Sequence, residues 1–162
     1  MQIVPAATDK IESLWHAFDA VAREEIYLES LTARPIDEVR IFQQKLIDNN
    51  YPAYYALDDK GEVVGCVDIT PVDNPRMSHR GFLGMAILKE YRGQGLGTKL
   101  LTKALAHAKE IGLEKVELQV YADNAAAIRL YQKCGFEKTG YIKHYRKLNG
   151  RYFDAVEMEL FL

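Results

Sequence analysis

Apolar residues recur at helical spacing in two stretches before residue 50 and two after residue 96, with strand-like runs around them. Ile11, Leu14, Trp15 and Phe18 share one face of a helix that Thr8 or Asp9 can cap and that runs to about Arg23. Glu24 to Leu31 is compatible with a continued helix or with irregular chain. Pro35, a good first-turn residue, opens a second helix ending near Asn49-Asn50, with Val39, Phe42, Leu46 and Ile47 as its apolar stripe. The period then shortens. Ala53 to Leu57 and Glu62 to Thr70 flank Asp58-Asp59-Lys60-Gly61 and read as a hairpin. Gln2 to Pro5 is a short first strand. Phe82 to Leu88 is a nearly continuous apolar run, which predicts a buried strand. The next helix reaches Ile111 with Leu100, Leu101, Ala104, Leu105 and Ala108 on its core side, and Gly112 stops it. Lys115 to Tyr121 alternates as a strand, and Asn124 to Cys134 is a helix stopped by Gly135. Two last strands, about Phe136 to Arg146 and Tyr152 to Leu160, meet at Asn149-Gly150, a strong hairpin dipeptide.

The element order is therefore β-α-α-β-β-β-α-β-α-β-β. Hairpins combined with two strand-to-helix crossovers predict an α/β (α+β) fold, a mixed sheet with helices on both faces. A length of 162 residues suits a single domain spanning 1–162. The net charge of −2 argues against a broad nucleic-acid surface, though it leaves room for a local anion pocket. Cys66 and Cys134 form no CxxC pair, so no metal site is expected and a reducing, cytoplasmic setting fits. Met1 to Lys10 lacks the pattern of a signal peptide, and no apolar stretch approaches the roughly 20 residues of a membrane helix.

The turn Arg92-Gly93-Gln94-Gly95-Leu96-Gly97, between a strand and a helix, is suited to an anion. Its backbone N–H groups and the helix dipole favour negative charge, and missing β-carbons allow close approach. It is neither a P-loop, because Lys99 follows Thr98 instead of preceding a Ser or Thr, nor the dinucleotide pattern, because the spacing is GxGxG. A plain packing turn is the alternative.

The turn matches the [RQ]xxGx[GA] element of the GNAT acetyltransferase superfamily. Asn124-x-x-Ala127-x-x-Leu130-Tyr131-x-x-x-Gly135-Phe136 resembles that family's second signature, in the right order and on the expected elements. The resemblance covers nearly the whole chain, most strongly Ser78 to Met158, although Lys89 replaces a frequent proline. Asn149-Gly150-Arg151-Tyr152-x-Asp154 and Ser78-His79 look like a branch that acetylates amino acids and other small amines. The resemblance implies a mostly antiparallel sheet whose fourth and fifth strands splay, with the pantetheine arm of acetyl-CoA in the gap. It implies backbone contacts to that arm near Met85 and Ile87, and a pyrophosphate held by Arg92, Gly93, Gln94, Gly95, Leu96 and Gly97 with Thr98 close by. Asn124 and Ala127 would also meet the co-substrate. Arg129 and Lys133 would meet outer phosphates or simply be solvated.

Acetyl transfer of this kind needs a neutral amine, a polarised carbonyl and a protonated leaving thiolate. Tyr131 is the expected general acid, a phenol that is protonated at neutral pH. A strand N–H near Ile87 is the expected oxyanion donor, and no cysteine nucleophile is required. Gln119 occupies the place where some relatives carry a glutamate base. His79, Glu24 and Glu25 remain as proton acceptors. Glu24, Glu25 and Tyr27 are candidates for the acceptor wall, which Asp154 and Tyr152 would either line or support from the hairpin. The expected function is transfer of an acetyl group from acetyl-CoA to a primary amine on a small molecule such as an amino acid or polyamine. A protein N-terminus as acceptor, an acyl-CoA sensor without catalysis, and a nucleotide hydrolase are the competing readings. A homodimer is one open arrangement.

Overall fold

A computed structural model describes residues 1–162. Seven strands form one sheet in the order β1-β2-β3-β4-β5-β7-β6. They are β1 (Gln2–Pro5), β2 (Ala53–Leu57), β3 (Val63–Pro71), β4 (Arg80–Ile87), β5 (Lys115–Tyr121), β6 (Glu137–Leu148) and β7 (Arg151–Phe161). Every neighbouring pair is antiparallel except β4 and β5, which are parallel because α3 crosses between them. The helices are α1 (Ile11–Ala22), α2 (Ile36–Asp48), α3 (Leu96–Glu110) and α4 (Ala125–Lys133). No helix is long and apolar enough to cross a membrane.

The helices cover both faces of the sheet. On one face α1 packs Leu14 and Ala17 against Tyr55, Leu57 and Val63. On the other, Leu100, Leu101, Ala104 and Ala108 of α3 are fully buried against Val67, Ile69 and Val116, and Ile128 and Tyr131 of α4 join the same cluster. Alternation along β3 sends Cys66 to the first face and Val67 to the second. The turns obey local chemistry. Asp58 Oδ1 accepts from the N–H groups of Lys60 and Glu62, both at 2.9 Å, and so closes the β2–β3 hairpin. Asn149 and Gly150 both have positive φ, the requirement of the two-residue turn between β6 and β7.

Three expectations change. The first helix begins as a 3-10 turn, Thr8–Lys10, and neither Thr8 nor Asp9 caps it. In α2, Phe42 is exposed and Gln43 is buried in its place, because Gln43 Oε1 accepts from the Tyr55 hydroxyl at 2.6 Å. A buried polar side chain that finds such a partner can replace an apolar one. Finally, β4 is not buried throughout: Phe82 is 50% exposed and Gly84 is open. For Gly84 the reason is the splay described next; Phe82 still pairs with Glu117 of β5, and its exposed ring lies 5.9 Å from the Arg80 guanidinium.

Candidate active site

β4 is paired along one edge and abandoned along the other. Its ladder with β3 runs from Gly81 to Ile87, whereas its ladder with β5 ends after Arg80, Gly81 and Phe82. β5 meanwhile stays paired with β7 as far as Tyr121. The joined end is pinned by charge. Arg80 donates twice to Glu117 Oε2, at 2.6 and 2.8 Å, and Lys115 pairs with both Glu117 and Glu159. Beyond Phe82 the strands diverge and the β4 backbone groups that face β5 have no ladder partner. Central-strand amides without partners are costly in a closed core. Here they border a largely apolar cleft of about 540 Å³, a volume typical of small-molecule sites.

The Gly-rich turn lies at the mouth of this cleft. Gly93 and Gly95 have φ of +73° and +78°, and Gly95 is the N-cap of α3. A β-carbon on either would meet no atom within 4 Å, so both are glycine for backbone conformation and their outer side is open. The first N–H groups of α3 lack intrahelical acceptors and carry the positive end of its dipole. Gly97 serves a different purpose: a β-carbon there would lie 2.8 Å from Leu130 Cδ2, so its absence lets α3 close against α4. Leu96 is buried and Thr98 lines the cleft. Gln94 is outside it, with Nε2 donating to the Glu90 carbonyl at 2.8 Å. The Arg92 side chain turns towards α1. Its Nε donates to the Ile87 carbonyl at 2.8 Å, both terminal nitrogens donate to the Glu24 carboxylate, and Tyr27 covers its face at 4.4 Å. That carboxylate holds the guanidinium pKa above its ordinary value.

From the opposite wall, α4 brings Tyr131, Asn124 and Ala127 to the cleft, with Arg129 and Lys133 beside them. Asn124 is the N-cap of α4: its Oδ1 accepts from the Ala127 N–H at 3.1 Å, which leaves its amide N–H₂ free to donate. The Tyr131 ring is buried against Phe136, and burial raises its phenol pKa to about 12. Met85 and Ile87 line the β4 wall.

The acceptor candidates divide. Tyr27 lines the cleft, but Glu24 is engaged by Arg92. Glu25 is exposed at φ +59°, with its carbonyl accepting from Arg146 at 3.2 Å. His79 precedes β4 at the joined end of the strands, where its carbonyl accepts from Glu114 and Lys115, far along the strand from the splay. Asp154 accepts from the Tyr141 hydroxyl and the His144 N–H, both at 2.7 Å, and so supports the β6 bulge without lining the cleft. The cleft also holds residues that spacing did not single out: Leu28, Glu29, Tyr121 and Tyr145. Tyr145 donates to the Glu29 carboxylate and packs edge-on against Tyr121. Tyr121 was legible only as the last residue of an alternating strand. Tyr145 reaches the cleft through a register shift between Ile142 and Arg146, for which periodicity carries no signal.

The acetyltransferase (GNAT) family model matches residues 15–136. The chain is 30% identical over 138 residues to the L-amino acid N-acetyltransferase AaaT of Escherichia coli, covering 85% of each chain. It is 28% identical over 124 residues to a spermidine N(1)-acetyltransferase of Vibrio cholerae, covering 75% of this chain and 70% of that one. Its fold superposes with a TM-score of 0.91 on a phosphinothricin acetyltransferase of Sinorhizobium meliloti in complex with acetyl-CoA, at 21% identity, over 99% of this chain and 88% of the other. The family match across most of the chain, the open β4–β5 gap and the Gly-rich turn at its mouth agree: the chain belongs to the acetyltransferase (GNAT) family and is an acetyl-CoA-dependent N-acetyltransferase.

Proposed function

We propose that the enzyme acetylates the primary amine of a small molecule, an amino acid or a polyamine, by direct attack within a ternary complex. The observation that carries this is the one-sided pairing of β4, which leaves a strand edge free to pair with ligand amides along the wall of a largely apolar cleft. The backbone of Met85 and Ile87 pairs with the amides of the pantetheine arm. The turn from Arg92 to Gly97, through its backbone and the start of α3, holds the pyrophosphate. Thr98 stands close by, and the Asn124 amide and Ala127 border the arm. Arg129 and Lys133 meet the outer phosphates. Bound acetyl-CoA supplies the activated acyl group. A β4 N–H near Ile87 stabilises the oxyanion, and Tyr131 protonates the departing sulfur. A phenol whose pKa is raised to about 12 stays protonated at neutral pH, as this role requires.

Neither cysteine suits a covalent route. Burial pushes the Cys66 thiol up to about 12 and raises Cys134 as well, so thiolate is scarce in both. Tyr27, Leu28, Glu29 and Tyr145 form the wall nearest the acceptor, and the similarity to an L-amino acid N-acetyltransferase and a spermidine N(1)-acetyltransferase supports a small amine there. Initial rates against acetyl-CoA and each of a panel of amino acids and polyamines, read by free-thiol release, test the proposal. Intersecting lines with at least one small amine are expected, with activity retained in Cys134→Ala. Parallel lines with an isolable acetyl-enzyme, or turnover confined to protein N-termini, would refute it.

A further inference from the structure

The proton acceptors suggested by spacing are occupied or remote: Arg92 holds Glu24, Glu25 is exposed, and His79 lies beyond the joined end of β4 and β5. A different carboxylate stands beside the cleft. Asp68 of β3 is the register partner of Gly84 on β4. A β-carbon at position 84 would lie 2.7 Å from Asp68 Oδ2, and Gly84 is itself exposed and lines the cleft. Glycine at 84 thus leaves a window through which a carboxylate on the neighbouring strand faces the gap. The position along the strand also fits. Gly84 lies three residues, roughly 10 Å, along β4 from the oxyanion donor near Ile87, so a proton from the attacking amine reaches Asp68 through intervening water.

We propose that Asp68 is the general base of the reaction, an assignment that rests on the acetyl-transfer function proposed above. Its surroundings suit the task. The titratable neighbours are Tyr55 on β2, whose hydroxyl is given to Gln43 of α2, and Cys66 on β3. α1 turns Leu14, Ala17 and Val21 towards the sheet, and none of these carries a charge. Burial, without a cation beside it, raises the Asp68 pKa to about 7. That brings its proton affinity closer to an amine's than an ordinary carboxylate's, while leaving it mostly ionised above neutrality. In the proposed sequence Asp68 takes one proton from the bound ammonium and later releases it to solvent. The nitrogen lone pair forms the C–N bond, and the oxyanion collapses with cleavage of C–S. Tyr131 gives its proton to the sulfur and is reprotonated as the nitrogen sheds its second proton, so amide, thiol and one released proton balance the reaction.

Asp68→Asn tests the assignment. For whichever amine the panel identifies, kcat/KM should fall by about 10²-fold near pH 7.5. The acidic limb of the wild-type profile, which bends near pH 7, should vanish. Asp68→Glu should restore part of the rate together with the limb. A readout independent of turnover is NMR of carboxyl-labelled aspartate: one resonance should titrate near pH 7 in the wild type and be missing from Asp68→Asn. The melting shift given by acetyl-CoA should be the same in both proteins, which also reports that the variant is folded. An Asp68→Asn enzyme within about threefold of wild type with an unchanged acidic limb would overturn this assignment alone. A wild-type protein that binds acetyl-CoA and acetylates no amine would overturn the proposed function, and the assignment with it.

Discussion

Tyr131→Phe is the narrowest change that separates chemistry from packing at this site. The ring stays against Phe136 and only the hydroxyl is lost. Stability and acetyl-CoA affinity should therefore move little, while the single-turnover transfer rate should fall by roughly 10²-fold or more. A folded variant that transfers within about threefold of wild type would remove Tyr131 from the mechanism. Tyr131 was legible in the sequence only through its place in the second signature, since by spacing it is another helix aromatic. Asp68 was not legible at all. Along β3 it reads as a polar interruption between Val67 and Ile69, and its meaning depends on Gly84, sixteen residues away, lying opposite. The pairing of the Arg92 side chain with Glu24 was not legible for the same reason: only the folded chain brings the two together.

Among the elements, α3 and its glycines show how one short motif serves two purposes. Gly93 and Gly95 are required by backbone conformation, and Gly97 by the approach of Leu130. Gly97→Ala must push back Leu130 Cδ2, but alanine gains about 1 kcal/mol over glycine inside a helix, so the net loss of stability should be small, about 0–1 kcal/mol. Leu130→Ala in the same chain should recover part of that loss. Chemical denaturation of the two single variants and the double variant measures the coupling, and strict additivity would show that Leu130 is not what position 97 must avoid. At this scale the sequence was informative. The four helices, both glycine stops and the final hairpin follow from periodicity and turn chemistry, because each is decided within a few residues. β4 was misread as buried because an apolar run is the same whether core or ligand covers it. Its missing ladder beyond Phe82 depends on where β5 goes.

For the molecule as a whole, the Asp68 carboxylate ties stability to pH. Its pKa of about 7 in the folded protein exceeds the roughly 3.9 of an unfolded aspartate, so the folded state binds the extra proton between these values. Stability contributed by this group is present at low pH and is lost as pH rises through about 7. Asp68→Asn keeps the shape and removes the charge, so it should raise Tm at pH 8 by several degrees, on the order of 1–3 kcal/mol. The advantage should shrink steadily towards pH 4. An advantage equal at both pH values would show that the carboxylate is not destabilised by its surroundings.

The segment after α1 is stapled at both ends. Arg92 grips Glu24 at its start, and at its finish Asp19 Oδ1 accepts from the Ala33 N–H at 2.9 Å while the Trp15 indole donates to the Arg34 carbonyl at 2.8 Å. Between the staples, Tyr27, Leu28 and Glu29 face the cleft. Tyr27 is tied to the Gly-rich turn through Arg92 and Glu29 to β6 through Tyr145, which leaves Leu28 as the position where evolution can reshape this side of the cleft by a single codon without disturbing its supports.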